Sequence, residues 1–251
     1  QGIREYDKDG QIVLISDESH HTYSRPLISY WLLGKVTEEN MRYRNFDFYE
    51  KNNVDTLFST KSARIDSAKK EVIINNGNRI SYDKLMVATG SKPFVPPMDG
   101  LDTVENKFTF MDLDSAKALK ETLVKSENDT KVVKVLIVGA GLIGLKAAEA
   151  MEHMNVKMTV IDLADRILPS ILDVDSSKTM QEYIESKGVN FILNTSVSKF
   201  DKNKATLKTG DVLDFDILIL AVGVRPNTEL ISEAGGKVNR GIVTDETQLT
   251  T

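Results

Sequence analysis

Val132-Val133-Lys134-Val135-Leu136-Ile137-Val138-Gly139-Ala140-Gly141-Leu142-Ile143-Gly144 opens the stretch that decides the fold, and Asp162 closes it. The first seven residues are β-branched and apolar, as a strand buried on both faces of a parallel sheet must be. A helical pattern follows the glycines through Met154, with Asn155 placed to end it in a left-handed conformation. A second apolar strand, Val156 to Ile161, ends at Asp162. Strand, glycine turn, helix, strand and acid in this order form the dinucleotide-binding fingerprint in its proper context. Gly139 permits the tight turn, Gly141 lets backbone N–H groups approach a pyrophosphate, and Gly144 lets helix and strand pack closely. The first N–H groups of the helix, at Leu142 and Ile143, then present about half a positive charge to the phosphates.

Asp162 is placed to accept both hydroxyls of an adenosine ribose, which favours NAD. A 2′-phosphate would forfeit a hydrogen bond worth about 1.5–3 kcal/mol and meet a like charge, a preference of roughly tenfold or more. Arg166, four residues on, is either a cofactor contact or a solvated loop residue.

Composition sets the limits around this core. The 251 residues suffice for one large domain or two ordinary ones, and 41% hydrophobic with 27% charged residues is the balance of a soluble globular chain. No apolar run approaches a membrane span and no secretory signal is present, so no membrane partner is expected and the cytoplasm is the default location. The absence of cysteine excludes disulfides, iron–sulfur ligation, thiolate zinc sites and cysteine nucleophiles within these residues. A net charge of −5 argues against nucleic acid as a partner. His20, His21 and His153 lack ligand spacing and read as surface or boundary residues, so no metal site is expected. Met151, Met154 and Met158 read as core filler.

Before the nucleotide core, Gln11 to Ser16 reads as a strand that ends in Ser16-Asp17-Glu18, with no strand and glycine loop ahead of it. Arg25-Pro26 marks a sharp entry to a short helix. Residues 41 to 58 suggest a helix and a strand. Ser62–Asp66, Glu71–Ile74 and Arg79–Ser81 suggest an antiparallel meander turned at Asn75-Asn76-Gly77-Asn78. Tyr82 to Gly90 reads as a strand closed by small residues, and Ser91 to Pro97 as a linker edge. A helix from about Asp112 to Lys125 precedes a polar spacer, Ser126–Lys131. After Asp162, a helix starting near Asp173 stops at Gly188. Val189–Leu193 continues the parallel set, Val197 to Phe215 alternates like an antiparallel insertion, and Asp216 to Gly223 is another buried strand. Lys84–Gly90 and Asp216–Gly223 echo each other, each fed by a hairpin, which suggests two related nucleotide-binding domains with one inserted in the other.

These motifs together resemble the pyridine nucleotide–disulfide oxidoreductase family, in particular its rubredoxin-reductase, NADH-oxidase and nitrite-reductase-module branch. The matching stretches are Tyr23-Ser24-Arg25-Pro26, Tyr82–Gly90, Val138–Glu149, Asp165–Pro169 and Gly223–Asn227. The resemblance implies an α/β, Rossmann-like fold with two dinucleotide-binding domains, each a three-layer ββα unit. It implies a partial FAD-binding domain over 1–107, an NAD-binding domain over 108–229 and a return segment over 230–251. Arg25 and Pro26 would lie on the flavin side, Ala88, Thr89 and Gly90 would border FAD, Glu18 would reach its ribose, and Val222 and Gly223 would line the NAD cleft. The family's first glycine-rich FAD motif would precede Gln1 and its late glycine–aspartate motif would follow Thr251. The sequence therefore reads as an internal fragment that binds NAD(H), holds FAD only loosely and is inactive by itself.

The implied activity is hydride transfer from NADH to FAD and onward to rubredoxin, ferredoxin, a nitrite-reductase centre or oxygen. The partner would be a small electron-transfer protein or an appended redox domain, and a homodimer stays open. Lys146 stands where the family often has a glutamate paired with a lysine, and Tyr30 stands in that lysine's place. Lys146 is thus a candidate catalytic residue at the nicotinamide–flavin junction, favouring negative charge on reduced flavin; the plainer account is a surface lysine beside Glu149 at helical spacing. A non-catalytic NAD-binding redox sensor and a docking module are the alternative functions.

Overall fold

The structure is a computed structural model that describes residues 1–127 and 132–250; part of the expected polar spacer therefore lies outside the described residues. The chain divides into two compact units. One comprises residues 1–24, 42–92 and 225–251, and the other comprises residues 25–41 and 93–224. The second unit holds the fingerprint.

Its sheet has five strands, all parallel: β1 (Lys107–Phe108), β2 (Val133–Val138), β3 (Val156–Ile161), β4 (Val189–Ile192) and, after an antiparallel meander of β5 (Val197–Asp201), β6 (Lys204–Leu207) and β7 (Val212–Asp214), the last strand β8 (Ile217–Leu220). Spatial order is β4-β3-β2-β8-β1. Strand order thus reverses between β2 and β8, and in an open parallel sheet the crevice beyond the carboxyl ends at such a reversal is where ligands bind.

Alternation along β2 explains the layers. Leu136 and Val138 join Ile161, Leu218 and Leu220 in a core with Val197, Phe200, Ala205, Leu207 and Phe215 of the meander side. Ile137 faces the other way, toward the helix α3 (Leu142–Ala150). A meander, a parallel sheet and a helical side give the three layers expected for a ββα domain. The meander is fastened where Gly100 takes φ +70°, since a Cβ there would lie 1.9 Å from the Phe200 carbonyl oxygen.

On the helical side, α2 (Leu113–Glu127) buries Ala116, Leu119 and Leu123. The short helix α1 (Ile28–Leu32) packs against both α2 and α3. Buried Ile28, Leu32 and Met41 tie residues 25–41 into this unit. Helix α4 (Val174–Glu185) begins on Asp173, whose carboxylate accepts the Ser176 N–H at 2.7 Å, and stops before Gly188 at φ +87°.

The expectation of a helix through Met154 with a left-handed Asn155 is corrected. α3 ends at Ala150, and Met151, Glu152 and Met154 close i→i+3 bonds that tighten the chain into the start of β3 without a positive φ at Asn155. Met151 and Met158 are core residues, as read.

In the other unit, Ile12–Ile15 pairs in parallel with Val54–Leu57, and Ser62–Asp66, Glu71–Ile74 and Arg79–Ser81 form the expected meander. Ile65, Val72 and Ile74 share a small core with Ile231. Tyr82–Gly90 is a second correction. It forms no strand, and Leu85 and Met86 are exposed, Met86 at 81%. A strand exists only through its ladder, and no described strand lies beside this run to accept its backbone bonds. Ile12–Ile15 shows the same deficit: all four residues are only half-buried, whereas Ile217–Leu220 in the five-stranded sheet is buried throughout.

Candidate functional site

The glycine bend leaves β2 at the reversal point. Gly139 takes φ +115°, and a Cβ there would come within 2.3 Å of the Ala221 carbonyl oxygen, so only glycine lets β2 turn beside the end of β8. At Gly144 a Cβ would meet the Gly139 carbonyl oxygen at 2.0 Å, so the third glycine sets the distance between α3 and the bend. Gly141 differs in kind. Its φ of −81° is open to any residue, and beyond its chain neighbours a Cβ would meet none of the described residues within 4 Å. The space above Gly141 is kept free, as the approach of a ligand to the backbone requires. Gly141 caps α3 without any side-chain hydrogen bond, leaving the first N–H groups of the helix, including those of Leu142 and Ile143, to an external acceptor.

Asp162 is held against this bend. One carboxylate oxygen accepts the Ala140 N–H at 2.6 Å and the other accepts the Ala164 N–H at 2.8 Å. A carboxylate offers about four acceptor positions, so two sugar hydroxyls still find lone pairs on a group already oriented. Ala140 is a hub that sequence reading missed: it donates to Asp162 while its carbonyl accepts the Leu168 N–H at 3.0 Å, pinning the 162–168 loop to the bend. The Thr195 N–H holds the Asp162 carbonyl at 3.1 Å. These bonds run through backbone atoms, which carry no residue-type signal.

Arg166 lies in that loop. Its guanidinium pairs with Asp165 at 3.0 Å, and its Nε is buried without a hydrogen-bond partner among the described residues. Val222 and Gly223 follow β8, with Gly223 at φ +117° and its carbonyl accepting the Phe94 N–H at 2.9 Å. Ala221 thus brings this turn against Gly139. The residues present fit a dinucleotide: an open glycine, free helix N–H groups and an oriented carboxylate converge on one bend.

Lys146 sits midway along α3. Its ammonium is 2.6 Å from Glu149 and 4.9 Å from the ring centroid of Tyr30 on α1. The hydrogen bond it donates to the Glu149 carboxylate raises its pKa, with the burial of the group opposing. The two positions singled out together in the sequence are neighbours in space, and the Glu149 pairing at helical spacing is present too.

Within the first unit, Ala88, Thr89 and Gly90 are exposed, and three bonds tie Thr89 and Gly90 to Asn227. Thr89 Oγ1 donates to the Asn227 carbonyl at 2.8 Å, Asn227 Nδ2 donates to the Thr89 carbonyl at 2.8 Å, and the Asn227 N–H donates to the Gly90 carbonyl at 2.9 Å. The sequence marks Asn227 only as the end of the matching stretch Gly223–Asn227. The Glu18 carboxylate accepts the Tyr23 hydroxyl at 2.8 Å. Arg25, at the start of a 3₁₀ turn with Pro26, donates to the Met111 carbonyl at 3.1 Å. Among the described residues no helix is long and apolar enough to cross a membrane.

A family model described as pyridine nucleotide-disulphide oxidoreductase matches residues 2–251. The chain belongs to the pyridine nucleotide-disulphide oxidoreductase family. A relative within reach of this assignment is an NADH oxidase of Methanocaldococcus jannaschii, 32% identical over 247 residues that make up 95% of this chain and 54% of that protein. An assimilatory nitrate reductase electron transfer subunit of Bacillus subtilis is 32% identical over 94% of this chain and 30% of its own length. Among solved structures, the covalent putidaredoxin reductase–putidaredoxin complex superposes with a TM-score of 0.88 at 28% identity, covering 99% of this chain and 61% of that one. The chain thus spans between 30% and 61% of the length of these proteins. The α/β architecture inferred from the fingerprint is the family's. The disulphide in the family's name has no counterpart within these residues, which contain no cysteine.

Proposed function

We propose that this chain is the NAD(H)-binding portion, with part of an FAD-binding domain, of an NADH-dependent flavoprotein reductase. The observation that carries the proposal is the bend itself: the backbone at Gly141 is kept open at the sheet's reversal point while Asp162 is fixed beside it. In this reading the N–H groups of Leu142 and Ile143 hold the pyrophosphate, Asp162 accepts the adenosine ribose hydroxyls, and Val222-Gly223 borders the nicotinamide half. Nicotinamide and flavin together supply hydride transfer and the release of electrons to an acceptor. The chain's own task is to align the rings and exclude water, which needs no acid–base triad.

Arg25, Pro26, Ala88, Thr89, Gly90 and Glu18 would contribute the flavin side of a complete domain, and Lys146 would stand near the two rings. The half-buried Ile12–Ile15 and the absence of a strand over Tyr82–Gly90 support an FAD half that needs further strands. The acceptor would be a small electron-transfer protein, in keeping with the solved complex that joins a reductase to putidaredoxin, or an appended redox domain. Calorimetry and absorbance on the purified chain test the reading. The expected result is saturable NAD binding, with FAD lost on gel filtration. Stoichiometric yellow protein would overturn the incomplete FAD half, and no NAD binding would overturn the site.

A further inference from the structure

Two of the three N–H groups at the glycine bend already have acceptors. The Gly139 N–H donates to the Ile161 carbonyl at 2.8 Å, and the Ala140 N–H donates to Asp162 at 2.6 Å. The Gly141 N–H donates to no group among the described residues, and the space beyond Gly141 is open. What fixes the direction of that N–H lies behind the bend. It shares a peptide with the Ala140 carbonyl, and in a trans peptide the N–H and C=O point opposite ways. Among the described residues no peptide bond is cis. The Ala140 carbonyl accepts the Leu168 N–H at 3.0 Å, so the Gly141 N–H is turned away from Leu168. The Leu168 N–H in turn shares its peptide with the Ile167 carbonyl, which accepts the Ser177 hydroxyl at 2.8 Å. One line of hydrogen bonds thus runs from Ser177 on α4, through two peptide groups, to the bend.

Local backbone preference does not hold this line in place. Leu168 takes φ +49°, a left-handed conformation that a leucine rarely adopts. It is kept there by its surroundings: the side chain is buried, and the Ile171 and Leu172 N–H groups donate to its carbonyl at 2.9 and 3.0 Å. Of the described residues of α4, only Ser177 is buried, and it is buried completely. An alanine would fill that place without the cost of taking a hydroxyl out of water. The hydroxyl instead meets the carbonyl of Ile167, itself fully buried. In such an interior, hydrogen bonds in series polarise one another, so each bond behind Gly141 makes its N–H a better donor.

We propose that Ser177 is a positioning residue for the pyrophosphate of the bound dinucleotide, acting through the Ile167–Leu168 and Ala140–Gly141 peptides to aim the Gly141 N–H at a phosphate oxygen. The inference rests on the dinucleotide reading of the bend and adds to it a donor, Gly141, and the side chain that sets that donor's direction. Asp162 orients the sugar from one side of the bend, and Ser177 orients the phosphate donor from the other. Removing the Ser177 hydroxyl leaves the Ile167 carbonyl without its partner and frees the left-handed turn at Leu168 to relax, so the Ala140–Gly141 peptide loses its fixed tilt.

The test is a ¹H–¹⁵N NMR titration of the whole chain with ADP and with adenosine, which separates phosphate contacts from those of sugar and base. In the unaltered chain the Gly141 amide proton should move downfield with ADP and stay in place with adenosine. In Ser177→Ala the ratio of ADP to adenosine affinity should fall by roughly three- to tenfold, the worth of one ordinary hydrogen bond whose donor is no longer held in line. A serine that merely supported the fold would, when replaced, lower the melting temperature and weaken both ligands alike. Saturable ADP binding with an unchanged ratio in Ser177→Ala, or a Gly141 amide indifferent to ADP in the unaltered chain, would overturn this inference and leave the dinucleotide site standing. Absence of any ADP or NAD binding would overturn both.

Discussion

Replacing Gly141 by alanine should separate stability from binding, because the three glycines of one bend meet different surroundings. Gly141 has an ordinary φ of −81°, and beyond its chain neighbours none of the described residues lies within 4 Å of an added Cβ. A methyl group there removes conformational freedom from the unfolded chain without a clash, which typically stabilises by about 0.4–1 kcal/mol. For a chain of this size that is a rise in Tm of roughly 1–4 °C. The same methyl enters the space the pyrophosphate would occupy. Losing one hydrogen bond to a charged group costs about 1.5–3 kcal/mol, or roughly ten- to hundredfold in NAD affinity. Gly144→Ala is the contrast. Its Cβ would lie 2.0 Å from a backbone carbonyl that cannot move aside without shifting the bend, and overpacking of this kind costs typically 1–3 kcal/mol. Thermal melts and calorimetric NAD titrations of both variants read the difference. If Gly141→Ala bound NAD as tightly as the parent, the assignment of the pyrophosphate to this backbone would be refuted, whatever its Tm.

Two further outcomes follow from side chains around the site. The Ser176 N–H bonded to Asp173 holds that carboxyl below its ordinary value. Its contribution to stability is therefore fully present above the unfolded value of about 3.9 and is lost as pH falls through the lower folded one. Melts from pH 6 downward should show a smaller acid-induced drop in Asp173→Asn, which keeps a capping oxygen but cannot titrate; identical profiles would contradict the cap. In a flavin-containing protein that includes this chain, Lys146→Ala should shift the flavin potential to more negative values, and an unchanged potential would reduce Lys146 to its pairing with Glu149.

The second unit was largely legible because its signals are local and dense. Buried parallel strands need uninterrupted apolar runs, and the bend needs glycine at positions where Gly139 and Gly144 would otherwise strike carbonyls, so residue type reports geometry directly. Asp162 was legible for the same reason, as an acid at the end of the second strand. Its anchoring was not: Ala140, Leu168 and Thr195 act through backbone N–H and C=O groups that every residue type shares. Tyr82–Gly90 carries a strand's pattern, yet a pattern states only what a segment would do beside partners. With no described strand next to it, exposed Met86 records that dependence. Asn155 misled in a different way, since a helix end tightened by i→i+3 bonds needs no left-handed residue. Asn227 shows the converse, a residue that marks only the end of a matching stretch in the sequence and yet bonds Thr89 and Gly90 across 137 or more positions, a pairing that appears only once the chain is folded.

The ratio of NAD to NADP affinity, measured by calorimetry on the unmodified chain, bears most directly on the assignment of Asp162 to the ribose. Tighter binding of NAD by roughly tenfold or more is the expected result, since a 2′-phosphate would lose the hydrogen bond to the carboxylate and face its charge. Equal affinities would contradict it.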